Sequence, residues 1–504
     1  MLLNYIFSSV LILFYSLVIG LGLTKILKKN FFYFPIFFTS SIGILSLILF
    51  ILNIYIWFLF VIPFLMLLIP FYQKIKELKK EETKILLFFI MQFFIYIILQ
   101  LFIPFYPLGR NWVSYYKSSL NITEGNFQLD IGRNPLFNFI EGAFLNIFGK
   151  NFYIAQITTC LIGSLVVFPY FLLSKKILKK KLILFSLFFY IFNPFIIENI
   201  LYNWARMLTT MFILYFCVFV IEKKYFFSYI SAVLGVLSHS ISYFFIFPIY
   251  LVYTIKKRKI WTKIFILFLL TFLVIIIVGK IVEKKYEYEK NIFIFYPFAV
   301  NGWEVLANKS TAEIFNDFFS KPLYYHFFVR IVNLANTILP TIPILKLINY
   351  FIGLPIVQFH KVVDFSKLPL IYYYYHSIPG ALTTGVYIFF VLSAIQKKNR
   401  NLILTFMILP LIFEALTFGW IVPGLIKSLQ PFIPMAIILS VGEMGKYKKR
   451  MMYLAFLVMI LEAIFFFYLY YNFISFSIEN LKKMGDYETL GIETINRLIF
   501  KTSI

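Results

Sequence analysis

Apolar runs recur along the chain from residue 4 to residue 472, and short clusters of lysine and arginine separate them. Runs of about 20 residues suit helices that cross a bilayer, whereas barrel strands would need alternating polar and apolar positions, which are not seen. The basic clusters are Lys28-Lys29, Lys74 to Lys84, Lys175 to Lys181, Lys223-Lys224, Lys256 to Lys263, Lys397 to Arg400 and Lys446 to Arg450. The positive-inside rule puts all of them on the cytoplasmic side, so an even number of crossings separates neighbours. The run 32–72 then holds two spans with a break at Asn53. Runs 85–104 and 152–174 flank an external segment, 105–151. Spans 182–199 and 205–222 follow, and 226–255 crosses twice with a turn near His239 and Ser240.

The pattern predicts an all-α, polytopic transmembrane helical bundle of about 12–14 spans, with both termini outside. Its segments are N-terminal spans over 1–84, a core over 85–280, an external loop and membrane-dipping segment over 281–378, C-terminal spans over 379–472 and a short external tail over 473–504. Residues 135–148 start at a proline and are too short to span, which predicts an interfacial helix in the first external loop.

Composition sharpens this picture. Of the 504 residues, 61% are hydrophobic and 14% charged, which leaves too few polar groups to cover a water-soluble surface. The net charge of +25 sits in the inter-span clusters, so it does not mark a nucleic-acid partner. Cys160 and Cys217 both fall in predicted spans and make neither a disulfide framework nor a metal site.

Candidate chemistry lies in the long external loop, which holds Arg110, Asn111, Lys117, Glu124, Asp130, Arg133 and Glu141. Three stretches carry a resemblance. The first is Gly109-Arg110-Asn111-Trp112, then Tyr115-Tyr116, Gly125 and Arg133-Asn134-Pro135-Leu136-Phe137. The second runs from Asn193-Pro194 to Tyr202-Asn203-Trp204-Ala205-Arg206, and the third from Gly424 through Lys427 to Pro431 and Pro434. Together they resemble the GT-C class of membrane glycosyltransferases, in its mannosyltransferase-like branch. The matched stretches cover under a third of the chain. The WWDYG motif of oligosaccharyltransferases is absent, which sets that branch aside.

The resemblance implies an enzyme of the cell membrane, with an extracytoplasmic active face, that takes a sugar from a polyprenyl- or dolichyl-phosphate donor. The acceptor would be a glycan, lipid or protein, and membrane lipids would surround the donor's tail. The first-loop aspartate of the class is replaced here by Asn111, which cannot act as a base. Asp130 is the nearest carboxylate for that role and Glu124 stands behind it, while Glu198 is a substitute for a second acidic position of the class. Arg133, Arg206 and Lys427 are the candidate phosphate-binding cations, with a snorkelling role as the alternative for Arg206 and Lys427. Tyr115 and His239 complete the candidate substrate set, His239 having a structural hydrogen-bonding role as its alternative. A metal site is not identified. The class admits a divalent cation, Mg or Mn, and Asn111 argues against one here.

Two other readings stand beside this one: a transporter or polymerase of lipid-linked sugars, and a GT-C homologue that binds donor without transferring sugar. A transporter would be expected to show two similar halves and mid-membrane ionisable groups, and no repeat is evident. Lys427 has its own test. Lys427→Ala is expected to raise the donor concentration needed for transfer by roughly ten- to hundred-fold, the worth of a charge-assisted hydrogen bond to phosphate. Unchanged donor dependence would leave Lys427 a snorkelling residue.

Overall fold

The computed structural model describes residues 2–102, 111–125, 135–202, 204–239, 242–255, 259–285, 311–339, 377–417, 419, 426–447 and 449–472. Among these no strand occurs, and the chain is an all-α polytopic bundle. Its helices are α1 (Leu2–Ile26), α2 (Phe34–Ile51), α3 (Phe58–Lys76), α4 (Lys80–Phe102), α5 (Asn111–Thr123), α6 (Pro135–Phe148), α7 (Phe152–Leu165) and α8 (Val167–Ile177). Next come α9 (Lys180–Ile191), α10 (Pro194–Leu201), α11 (Arg206–Ile221), α12 (Tyr225–Ser238), α13 (Ser242–Ile255) and α14 (Lys259–Lys285). The rest are α15 (Thr311–Phe319), α16 (Leu323–Ile338), α17 (Ile378–Leu382), α18 (Thr384–Ile395), α19 (Lys397–Ile403), α20 (Leu409–Thr417), α21 (Ile426–Met444) and α22 (Lys449–Asn472).

Seven helices among the described residues are long and apolar enough to cross a membrane, and the broken pair α9 and α10 makes an eighth if it is one span. Shorter apolar helices include α6, α11, α12, α13 and α18. The chain breaks where the sequence signals it. Asn53 adopts the left-handed conformation (φ 56°) just after α2, a position that asparagine tolerates better than most residues. Pro194 opens α10, where its missing N–H costs nothing. The break read near His239 and Ser240 falls between α12 and α13.

The helices form two compact units. One comprises Met1–Lys176, Ile196–His239 and Ala463–Ile504, the other Ile177–Phe195 and Ser240–Glu462. In the first unit α1 packs on α2 and α3, α4 on α7, and α11 on α12. Its core is aromatic: Phe34, Phe89 and Phe168 lie 4.9–5.9 Å apart, with Phe34 edge-on to the other two. The α1–α2 contact depends on Gly20. A Cβ there would lie 2.2 Å from the buried Phe34 ring and 3.0 Å from Phe38 Cβ. Gly20→Ala is therefore expected to destabilise by about 1–3 kcal/mol despite alanine's better helix propensity. A lower midpoint of thermal unfolding in detergent checks this, and an unchanged midpoint would show that the Phe34 ring moves aside freely.

Ion pairs gather at one end of the first unit. Lys25 pairs with Glu77, Lys175 with Glu81 at 2.7 Å, and Glu222 bridges Lys176 at 2.8 Å and Lys224 at 2.7 Å. Lys224 also donates to the Tyr33 hydroxyl at 2.9 Å. These contacts bring four lysine-rich segments to a common face, as a bundle of paired crossings requires. Burial raises the Glu222 pKa, but its two lysines outweigh that and hold it below the ordinary 4.5. The stabilisation is thus present above about pH 4.5 and is lost as pH falls through the depressed native value. Each half-exposed pair is worth about 1 kcal/mol or less. Glu222→Gln should accordingly remove a small acid-induced loss of stability below about pH 4.5. An acid unfolding curve identical to that of the unaltered protein would show that the pairs contribute nothing.

In the second unit α18 packs on α21, α21 on α9, α13 on α14 and α20, and α16 on α20. A polar rim forms where Gln396 donates to the Glu443 carboxylate and Lys446 pairs with it at 2.6 Å. About 20 Å along the helices from that rim, at 1.5 Å per residue, Glu462 of α22 accepts the Thr384 backbone N–H at 3.1–3.2 Å. The Glu462 carboxylate therefore caps the start of α18 and favours its positive dipole end.

Candidate functional site

The first unit has a second polar layer, away from its lysine-rich end. Tyr5 and Lys25 stand near opposite ends of α1, about 30 Å apart at 1.5 Å per residue, which is the thickness of a hydrocarbon core. Around Tyr5, four helices are tied by Gln100. Its Oε1 accepts from the Tyr5 hydroxyl at 3.4 Å and from the Cys160 thiol at 2.9 Å, and its Nε2 donates to the Leu201 carbonyl at 2.8 Å. All three side chains are buried, and buried polar groups need such partners. Helix α10 approaches α7 closely, because Gly163 has no side chain to hold Ile200 away.

Helix α10 carries Glu198 and Asn199, both buried. The Asn199 carbonyl accepts the Trp204 indole N–H at 3.0 Å, and its side-chain oxygen accepts from Arg206 at 3.4 Å. The Arg206 guanidinium lies 3.4 Å from the Trp204 ring centroid. Stacking and hydrogen bonding thus fix a cation on the first residue of α11. The α11 dipole disfavours a positive charge there, and the Trp204 stack and the Asn199 contact offset that cost. The half-buried guanidinium is in contact with protein groups on two sides, the Trp204 ring and the Asn199 side chain.

Helix α6 carries Asn138 and Glu141, one turn apart and both buried. Burial pushes the Tyr116 hydroxyl pKa up, and the nearby Glu141 carboxylate pushes it the same way. Tyr116 donates to the Lys150 carbonyl at 3.4 Å and packs edge-on against Phe152. The sequence reading lays α6 at the interface with an apolar face in lipid. The structure differs: every residue from Leu136 to Leu145 is buried, against α2, α5 and α7. Phe137, Ile140 and Phe144 share one side of the helix and Asn138 and Glu141 another, and neighbouring helices cover both.

The remaining candidates scatter. Tyr115 is buried with its ring 5.5 Å from Phe137. Glu124 lies after α5, half exposed, 3.8 Å from Lys150. His239 closes α12, buried, its backbone N–H donating to the Gly235 carbonyl. Asp130 and Arg133 lie outside the described residues. Lys427 belongs to α21 in the second unit, and its side chain is outside the described part. Glu141 was read only as one charge of a loop. Its signal was the Asn138–Glu141 pair, one turn apart on an otherwise apolar helix.

No three His, Cys, Asp or Glu side chains come together to hold a metal ion among the described residues. Comparison with protein-family models, with curated proteins and with solved structures gives no match.

Proposed function

We propose that this chain is an integral-membrane glycosyltransferase that moves a sugar from a polyprenyl- or dolichyl-phosphate donor to an acceptor hydroxyl, on the side of the membrane opposite the lysine clusters. The observation that supports it most is Arg206, stacked on Trp204 and bonded to Asn199 at the start of α11. It stands in the stretch that resembles the Tyr-x-Trp-x-Lys/Arg element of the GT-C class. A guanidinium and a helix N-terminus both favour an anion.

The chemistry asks for such a cation. The acceptor oxygen forms a bond to the anomeric carbon while the bond from that carbon to the donor phosphate oxygen breaks. The electron pair leaves on the lipid phosphate, and a carboxylate takes the hydroxyl proton. Charge on the phosphate grows as the bond breaks, so Arg206 stabilises the transition state more than the bound donor. Asp130 is the proposed base. Glu124 is the weaker alternative because it is solvated and faces Lys150. Arg133 is the second proposed phosphate cation.

Membranes holding the protein, supplied with a labelled polyprenyl-phosphate hexose, test the reading. Labelled acceptor and free polyprenyl phosphate are expected in equal amounts. Binding without transfer would replace the enzyme by a donor-binding homologue, and movement of the intact lipid-linked sugar across the membrane would replace it by a transporter.

A further inference from the structure

Helix α16 of the second unit is amphipathic in the reverse sense. Its buried side carries His326, Val329, Asn333, Asn336 and Thr337. Its outer side carries Leu323, Tyr324, Phe327 and Ile331, which are 61–75% exposed, with Phe328 and Ile338 beside them. In water this arrangement is upside down, because four large apolar side chains face solvent while amides and an imidazole are enclosed. Beside hydrocarbon it is the favourable one, since polar side chains in a membrane turn toward protein.

The neighbours extend the pattern. The His326 ring stacks on Phe318 at 4.1 Å, and its Nε2 lies 3.1 Å from the Phe318 carbonyl oxygen, which fastens α15 to α16. Arg330 Nε donates to the Leu416 carbonyl of α20 at 3.2 Å. Helix α20 ends the candidate span Asn399–Thr417, and it exposes Ile412 and Leu416. The outer face of α16 is therefore continuous with the outer face of a spanning helix. Leu416 lies about 28 Å along that span from Lys397, at 1.5 Å per residue, so Arg330 sits at the bilayer boundary away from the Lys397–Arg400 cluster. At 16 residues, α16 is about 24 Å long and does not reach across the core.

We propose that α16 is a lipid-contact helix: Tyr324, Phe327 and Ile331 rest in the acyl chains of the leaflet far from that cluster, and the helix screens its own polar stripe from hydrocarbon. This surface is independent of the transferase reading. The test uses the full chain with Phe327→Cys, Ile331→Cys or, as a water-side control, Ser320→Cys. Each is labelled with a polarity-sensitive fluorophore and reconstituted in phosphatidylcholine vesicles bearing acyl-chain nitroxides. The native Cys160 and Cys217 are fully buried, so the unsubstituted chain provides a low-labelling background. Labels at positions 327 and 331 are expected to emit at shorter wavelength than the label at 320. The nitroxide lipid should quench them several-fold more, and aqueous iodide several-fold less. Iodide quenching equal to that at position 320 would place this face in water. Cross-linking between copies at 327 or 331 without nitroxide quenching would place a second copy there. Either result overturns the proposal. Tyr324→Cys, on the same face, repeats the measurement should a labelled variant fail to fold.

Discussion

Asp130→Asn is expected to lower sugar transfer by about 10²–10⁴-fold, the usual worth of general-base assistance, with expression and donor binding unchanged. The segment 105–135 offers two carboxylates, Glu124 and Asp130. Glu124 is half exposed and faces Lys150. Asp130 is three residues from Arg133 and five from the proline that opens α6. Asn111→Asp is the companion variant, since it restores the carboxylate usual in the class that the loop resembles. With Asp130 as base, the change should bring little gain, or a loss if the two carboxylates crowd one another. Full activity of Asp130→Asn together with a gain in Asn111→Asp would move the base out of Asp130. The readout is single-turnover transfer from labelled polyprenyl-phosphate hexose, beside a separate measurement of donor binding.

Arg206→Ala is expected to reduce transfer per bound donor by roughly ten- to hundred-fold, from the loss of one charge-assisted contact of about 1.5–3 kcal/mol. The effect should fall more on turnover than on donor affinity, because the phosphate gains charge only as its bond to the sugar breaks. Arg206→Lys keeps a charge but not the planar stack on Trp204, so it should recover activity only in part. Trp204→Leu removes the ring and leaves the guanidinium mobile, and it should resemble the lysine variant. A purely structural Arg206 would give a different pattern: all three variants would lower thermal stability together, with the turnover of the folded fraction unchanged.

The two outcomes draw on different kinds of information. Asp130 is a candidate from position in the sequence alone. Arg206 was a candidate from sequence, but only the folded chain stacks it on Trp204 and brings Asn199 within reach. The same distinction runs through the fold. The breaks at Asn53 and between α12 and α13 were legible because chain reversals depend on local backbone preference, whereas the bend before Pro194 falls inside the run 182–199 that the sequence reads as one span. The gathering of lysine segments at one end of the first unit follows the spacing of clusters along the chain.

By itself the sequence determined that this is an all-helical chain of repeated apolar runs, where those runs break, and which loops carry the charge. Each of these follows from short-range hydrophobic spacing and from the cost of unpaired backbone groups in lipid. The tertiary structure decided which faces meet protein and which remain open. It buried α6 where an interfacial helix was expected, enclosed Glu141 and Glu198, placed Glu462 on the start of α18, and turned the polar stripe of α16 inward. The reason is that lipid tails and a protein core are almost equally apolar. An apolar residue therefore carries no mark of which one it faces, and packing fit together with the hydrogen bonds of a few polar side chains makes the choice.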